Sequence, residues 1–177
     1  MKVAIPILAT FLVAVQTSAN PVQLEDRRIV SCPKDSAASS FYRLYDSKTG
    51  DHFYTTSSSE KKSFGREGYT LEGVTGLIFK SQQKNTGPLY RLYREDFRGD
   101  FHFYTMNKAE RDAAVAGGFT DDGTAGYIFA TQICGSIPLY RYYNGRDHFY
   151  TANRREGKTA VAGGYKSEGI AGYIISA

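Results

Sequence analysis

Leu139-Tyr140-Arg141-Tyr142-Tyr143, Asn144-Gly145-Arg146-Asp147 and His148-Phe149-Tyr150-Thr151 form a stretch that the chain carries three times. The other copies pair Phe41-Tyr42-Arg43-Leu44-Tyr45 with His52-Phe53-Tyr54-Thr55, and Leu89-Tyr90-Arg91-Leu92-Tyr93 with His102-Phe103-Tyr104-Thr105. A second block follows each: Glu72-Gly73-Val74-Thr75-Gly76, Asp122-Gly123-Thr124-Ala125-Gly126 and Glu168-Gly169-Ile170-Ala171-Gly172. From each His to the last Gly of its second block is 24 residues in every copy, which marks a unit without room for insertion.

The variable part lies before the His. Tyr42 to His52 is 10 residues, Tyr90 to His102 is 12 and Tyr140 to His148 is 8. Steps of two keep every strand side chain on its face, whereas a step of one would invert them. The spacing therefore predicts two strands of a hairpin whose arms lengthen together, turning at Gly50, Gly99 or Gly145 with positive φ.

A helix start follows. Ser57, Asn107 and Asn153 precede Glu60, Glu110 and Glu156 by three residues, a capping-box pattern in which the Glu reaches back to the cap's backbone N–H. Gly68, Gly118 and Gly164 supply the stop. Helices of about nine or ten residues do not stand without packing. Phe64, then Ala109, Ala113 and Ala116, then Ala160 and Val161 are the apolar faces expected to pack. The extended runs 69–79, 119–129 and 165–175 follow, each expected to bend at its glycines into two short strands.

Such a unit cannot bury its faces alone, so three must pack together. The expected fold is α+β and β-rich: three ββαβ(β) repeats in a compact pseudo-threefold domain, trefoil-like or propeller-like, with an open row of repeats as the alternative. The expected divisions are a secretory signal peptide over 1–19, a leader over 20–40 and a three-repeat domain over 41–177, with repeats 41–80, 89–130 and 139–176. Lys2, the short apolar run 3–15 and the small residues Thr17-Ser18-Ala19 carry the signal-peptide reading. Arg27-Arg28 is either a processing site or a solvated pair.

Cys32 and Cys134 are the only cysteines in the 177 residues, and an exported chain most simply joins them in a disulfide. The net charge of +4 comes without a basic stripe, so nucleic acid is not an expected partner. No run is long enough to span a bilayer. The chain is expected to be a secreted, extracellular monomer without a cofactor.

The repeated motifs resemble a tyrosine-rich family of unknown function. Its units read roughly Leu-Tyr-Arg-x-Tyr, Gly-Asp-His-Phe-Tyr-Thr, a capped helix, then Tyr-x-x-Glu-Gly-x-Ala-Gly-Tyr. The resemblance runs from Phe41 to Ile175. Departures are Phe101, which separates Asp100 from His102, Asp122 in place of Glu, and Leu77 in place of Tyr. Such repeats occur in secreted fungal proteins and, in bacteria, beside cell-wall hydrolases. The resemblance implies an accessory, surface-binding role and carries over no catalytic residues.

Candidate site residues recur with the motifs. Arg43, Arg91 and Arg141 stand near acids at Asp51, Asp100 and Asp147 and at Glu72, Asp122 and Glu168. Tyr45, Tyr54, Tyr93, Tyr104, Tyr143 and Tyr150 could wall polar pockets, with His52, His102 and His148 beside them. Tyrosine faces, guanidinium forks and carboxylates suit a sugar's rings and hydroxyls. The expected function is thus a multivalent, non-catalytic module for cell-wall or surface polysaccharide. The bland reading is one Arg–carboxylate pair per repeat, with each His bonded inside its own repeat. An extracellular structural or protein-interaction role is the alternative, with a small hydrolase or a three-His zinc site behind it. An active site normally breaks internal symmetry, and here every candidate is triplicated.

Overall fold

The computed structural model describes residues 31–97 and 99–177. The expected signal peptide and the Arg27-Arg28 pair lie outside the described residues. After a short 3-10 turn at Asp35–Ala37, one ββαβ order occurs three times. The first segment has β1 (Ala38–Asp46), β2 (Asp51–Thr55), α1 (Ser58–Glu67) and β3 (Thr70–Phe79). The second has β4 (Thr86–Asp96), β5 (Gly99–Thr105), α2 (Lys108–Ala116) and β6 (Thr120–Phe129). The third has β7 (Ile137–Tyr143), β8 (His148–Thr151), α3 (Arg154–Ala162) and β9 (Lys166–Ile174). The chain is mostly antiparallel β-sheet with three short helices. The strands form one sheet in the order β2-β1-β3-β6-β9-β7-β8, with β4 and β5 joined to β6.

Each hairpin pairs as its spacing requires. Tyr45 faces His52, Tyr93 faces His102 and Tyr143 faces His148. Gly50, Gly99 and Gly145 turn with φ of 77°, 107° and 99°. The helices cover ten, nine and nine residues. Beyond them Gly68, Gly118 and Gly164 take positive φ.

Two expectations change here. Each run after a helix is a single strand, because its first glycine sits at a bulge in the ladder instead of breaking it. Ala109, Ala113 and Ala116 are exposed, and Val161 is 48% exposed. The half-buried face of α2 carries Glu110, Arg111 and Ala114, so an ion pair, not an alanine stripe, orients that helix.

The segments meet edge to edge through single residue pairs: Phe79 with Tyr127, Phe129 with Tyr173 and Leu77 with Ile175. Such close approach needs glycine. A Cβ on Gly126 would stand 2.9 Å from the backbone oxygen of Phe79, and one on Gly76 2.9 Å from that of Ile175. Behind these contacts lies the core, with matching residues from every segment: Phe41, Leu89 and Leu139, then Ile78, Ile128 and Ile174, then Tyr54, Tyr104 and Tyr150. A second cluster of Phe79, Phe129 and Ile175 packs against Cys134, whose disulfide to Cys32 spans 102 residues of sequence. A loop of that length corresponds to about 4–5 kcal/mol in the chain-entropy account.

The three core tyrosines are at most 1% exposed. The Tyr54 hydroxyl donates to the Tyr150 carbonyl at 2.8 Å and accepts from the Tyr150 N–H at 2.7 Å. Tyr150 does the same to Tyr104, at 2.6 and 2.9 Å, and Tyr104 to Tyr54, at 2.9 and 2.8 Å. Their rings meet edge to face with centroids 5.4–5.5 Å apart. Each hydroxyl thus satisfies two buried backbone groups on a neighbouring segment. Tyr104→Phe orphans both and should lower stability by about 2–4 kcal/mol, measured as a shift of the urea midpoint at constant slope.

Candidate functional site

The polar residues of the motifs gather at the seams between segments. Arg43 on β1 sends two nitrogens to Glu156 of α3, at 3.0 and 2.7 Å. Arg91 on β4 grips Glu60 of α1 at 3.0 and 2.8 Å, and Arg141 on β7 grips Glu110 of α2 at 3.1 and 2.9 Å. These bidentate forks join one segment's strand to another segment's helix. The Nε atoms lie 2.7, 2.7 and 2.9 Å from Glu72, Asp122 and Glu168 of their own segments. That is ion-pair distance, but the three Nε–H groups are not aligned for hydrogen bonds. Each guanidinium also lies about 5 Å above a phenylalanine: Arg43 over Phe149, Arg91 over Phe53 and Arg141 over Phe103.

The glutamates hold a second partner. Thr55, Thr105 and Thr151 donate their hydroxyls to Glu60, Glu110 and Glu156. The same threonine oxygens accept the cap N–H of Ser57, Asn107 and Asn153, each at 2.9 Å. The cap side chains accept from the helix N–H groups as expected, but the glutamates do not reach back. The arginine fork draws each carboxylate outward and the threonine takes its place. The Arg91 fork holds Glu60 below the usual carboxylate range despite partial burial. For Glu110 and Glu156, burial works the other way but is outweighed by Arg141 and Arg43.

Two of the histidines bond across seams through Nδ1, whereas Nε2 of His52 and of His148 lies 3.5 Å from Glu72 and Glu168 of their own segments. His52 donates from Nδ1 to Asp147 at 2.6 Å, and its backbone N–H reaches the same carboxylate at 2.9 Å. His102 donates from Nδ1 and from its backbone N–H to Asp51, both at 2.7 Å. The hydroxyls of Tyr165 and Tyr69 complete the two aspartates at 2.6 and 2.8 Å. Both aspartates are fully buried. Asp100 is not their counterpart. In register Arg94 faces Phe101, as Asp46 faces Asp51, so Phe101 takes the aspartate position. Nδ1 of His148 is buried with no hydrogen-bond partner among the described residues.

This difference divides two residues of identical motif. Burial of His52 opposes its charge, yet the bond to Asp147 and the nearby Glu72 carboxylate outweigh it and raise the imidazole to about 9. Burial, then the charge of Arg141, push His148 down to about 4. Tyr45, Tyr93 and Tyr143 are half-buried against the three imidazoles, at 4.5, 6.2 and 4.4 Å between ring centroids. Tyr54, Tyr104 and Tyr150 lie in the core, out of reach of a ligand. The histidines do not converge on one point, and among the described residues no group of three His, Cys, Asp or Glu is placed to hold a metal.

Arg146 was not singled out by the motifs. Its Nε donates to the Thr49 carbonyl at 3.0 Å, Nη1 to Asp96 at 2.8 Å and Nη2 to the Gly99 carbonyl at 3.2 Å. It ties the three hairpin tips together. Its lack of a counterpart in the other copies was the signal for it.

Two open polar clefts occupy matching seams. One, of about 480 Å³, runs beside Arg43, Glu72, Thr151 and Asn153. The other, of about 370 Å³, runs beside Arg141, Glu168, Thr105 and Asn107. Among the described residues no helix is long and apolar enough to cross a membrane.

Interlocked ββαβ segments with such seams define a β-rich domain whose recurring arginines and glutamates pair with one another across the seams. Residues 40–175 match the family described as Domain of unknown function (DUF5648), and the chain belongs to that family. No curated protein and no solved structure matches.

The opposed histidines set a pH dependence. An unfolded histidine titrates near ~6.5. His52, raised in the fold, stabilises fully below that value and loses its contribution as pH rises through about 9. His148, depressed in the fold, contributes fully above the unfolded value and loses it as pH falls toward about 4. Imidazole NMR titration should place His52 on the alkaline side and His148 on the acid side. Asp147→Asn should move only the His52 curve substantially, toward its ordinary value.

Proposed function

We propose that the chain is a secreted, non-catalytic binding module for cell-wall or surface polysaccharide. Its three repeats would close into a compact pseudo-threefold body that presents matching clefts to a polymer. The observation that carries this reading is the occurrence of two polar clefts at corresponding seams, with the same arginine, acid, threonine and asparagine types beside each. Weak sites held at fixed spacing on one body gain strongly on a repeating polymer. Glu72 and Glu168 keep about a third of their side-chain surface exposed beside these clefts and have oxygens left to accept sugar hydroxyls. Thr75 lines the larger cleft at the position that Ala171 holds beside the smaller one.

The clamped charges argue against acid–base catalysis. Glu60, Glu110 and Glu156 are each tied into an arginine, and proton transfer there would have to break that tie. The same clamps are what the alternative, an extracellular structural or protein-interaction role, also requires.

Retention on a panel of insoluble wall polysaccharides, with release by a soluble sugar, tests the reading. Thr75→Arg and Ala171→Arg each obstruct one cleft. Either alone should weaken retention severalfold, and together by about a hundredfold or more as avidity is lost. Retention on no polymer, or retention untouched by the double variant, rejects polysaccharide binding in the clefts.

A further inference from the structure

The seam between the second and third segments lacks two groups that the chain supplies at the seam between the first and second. There, the Asp51 carboxylate meets His102 Nδ1 and the Tyr69 hydroxyl. Beside it the Phe64 ring stacks on Phe53, with centroids 3.7 Å apart and planes 5° from parallel. Phe64 also lies 5.8 Å from the His102 ring. A phenyl ring and a carboxylate, both from the first segment, thus pack against the second segment's histidine.

At the other seam both are missing. Phe101 and Phe119 replace the Asp–Tyr pair and contact each other edge to face at 5.6 Å. Exchanging both partners of a buried hydrogen bond for apolar groups leaves neither orphaned, but the third member, His148 Nδ1, keeps its need. Ala114 stands at the position of Phe64. A cavity of about 410 Å³ opens there, lined by Phe101, Phe103, Ala114, Phe119 and His148. That volume is within the range of small-molecule sites. Arg94 also lines it, exposed, with its guanidinium 4.8 and 4.9 Å from the Phe101 and Phe119 centroids.

We infer that this cavity binds a small aromatic monocarboxylate. Its ring lies on Phe103 as Phe64 lies on Phe53, and its carboxylate accepts from His148 Nδ1 with Arg94 beside it. The other charged groups acting on His148 are Arg141, Glu110, Asp147 and Glu168. Of these, Arg141 is already committed to Glu110 and Glu168. The cavity shares only Glu110 with the smaller polar cleft, and none of the contacts assigned to the ligand uses it, so this site stands or falls independently of polysaccharide binding.

Benzoate and phenylacetate are the probes, with benzamide as the uncharged control, titrated into the full chain by calorimetry and by NMR of the His148 imidazole. One site of millimolar affinity or tighter is expected, with a shift of the His148 Nδ1 signal and much weaker binding of benzamide. Two variants close the site by opposite routes. F101D/F119Y restores the carboxylate and hydroxyl that the fold already accommodates at two seams, and Ala114→Phe restores the phenyl ring. Each should weaken binding about tenfold or more. A probe that leaves the His148 signal unmoved, binds both variants as well as the parent, or binds no better than benzamide overturns the assignment.

Discussion

Each of the hydroxyls of Tyr54, Tyr104 and Tyr150 donates to one backbone carbonyl and accepts from the N–H of the same residue on a neighbouring segment. A phenol is the side chain suited to this: a flat apolar body to fill the core and one oxygen with both hydrogen-bonding capacities. The interaction makes the buried strands β2, β5 and β8 dependent on one another. None can leave without stranding polar backbone in an apolar interior, and that cost couples the three segments.

Around this centre the electrostatics follow the same rule. Every arginine fork and both His–Asp contacts reach from one segment to the next. Partly buried charges of this kind add little net stability over apolar packing, but separating them is costly. They therefore select one relative placement of the segments above any looser association. The short helices, with few buried apolar residues, are held by their glutamates as much as by packing.

The copies are not equal, and the inequality is concerted. Phe101 and Phe119 arrive together where Asp and Tyr stand elsewhere, so an apolar pair replaces a hydrogen-bonded one without loss of packing. Ala114 and Ala160 leave space where Phe64 fills it. Arg146, with no counterpart in the other copies, gathers the three hairpin tips.

Spacing alone determined the local elements. Steps of two before the histidines forced hairpin arms of matched length, and the cap residues and glycines bounded the helices, because these depend on neighbours a few residues away. The disulfide followed from there being two cysteines. Which segment answers which was decided only in three dimensions. His52 stands next in sequence to Asp51 but bonds Asp147, and Glu60 answers Arg91 instead of closing its own capping box. A repeated motif presents identical donors and acceptors in every copy, so pairing within a copy and pairing between copies look the same in one dimension. Only the packing of the core brings one set within reach, and only there does the exchange of Asp for Phe101 leave its mark, on a histidine 47 residues further along the chain.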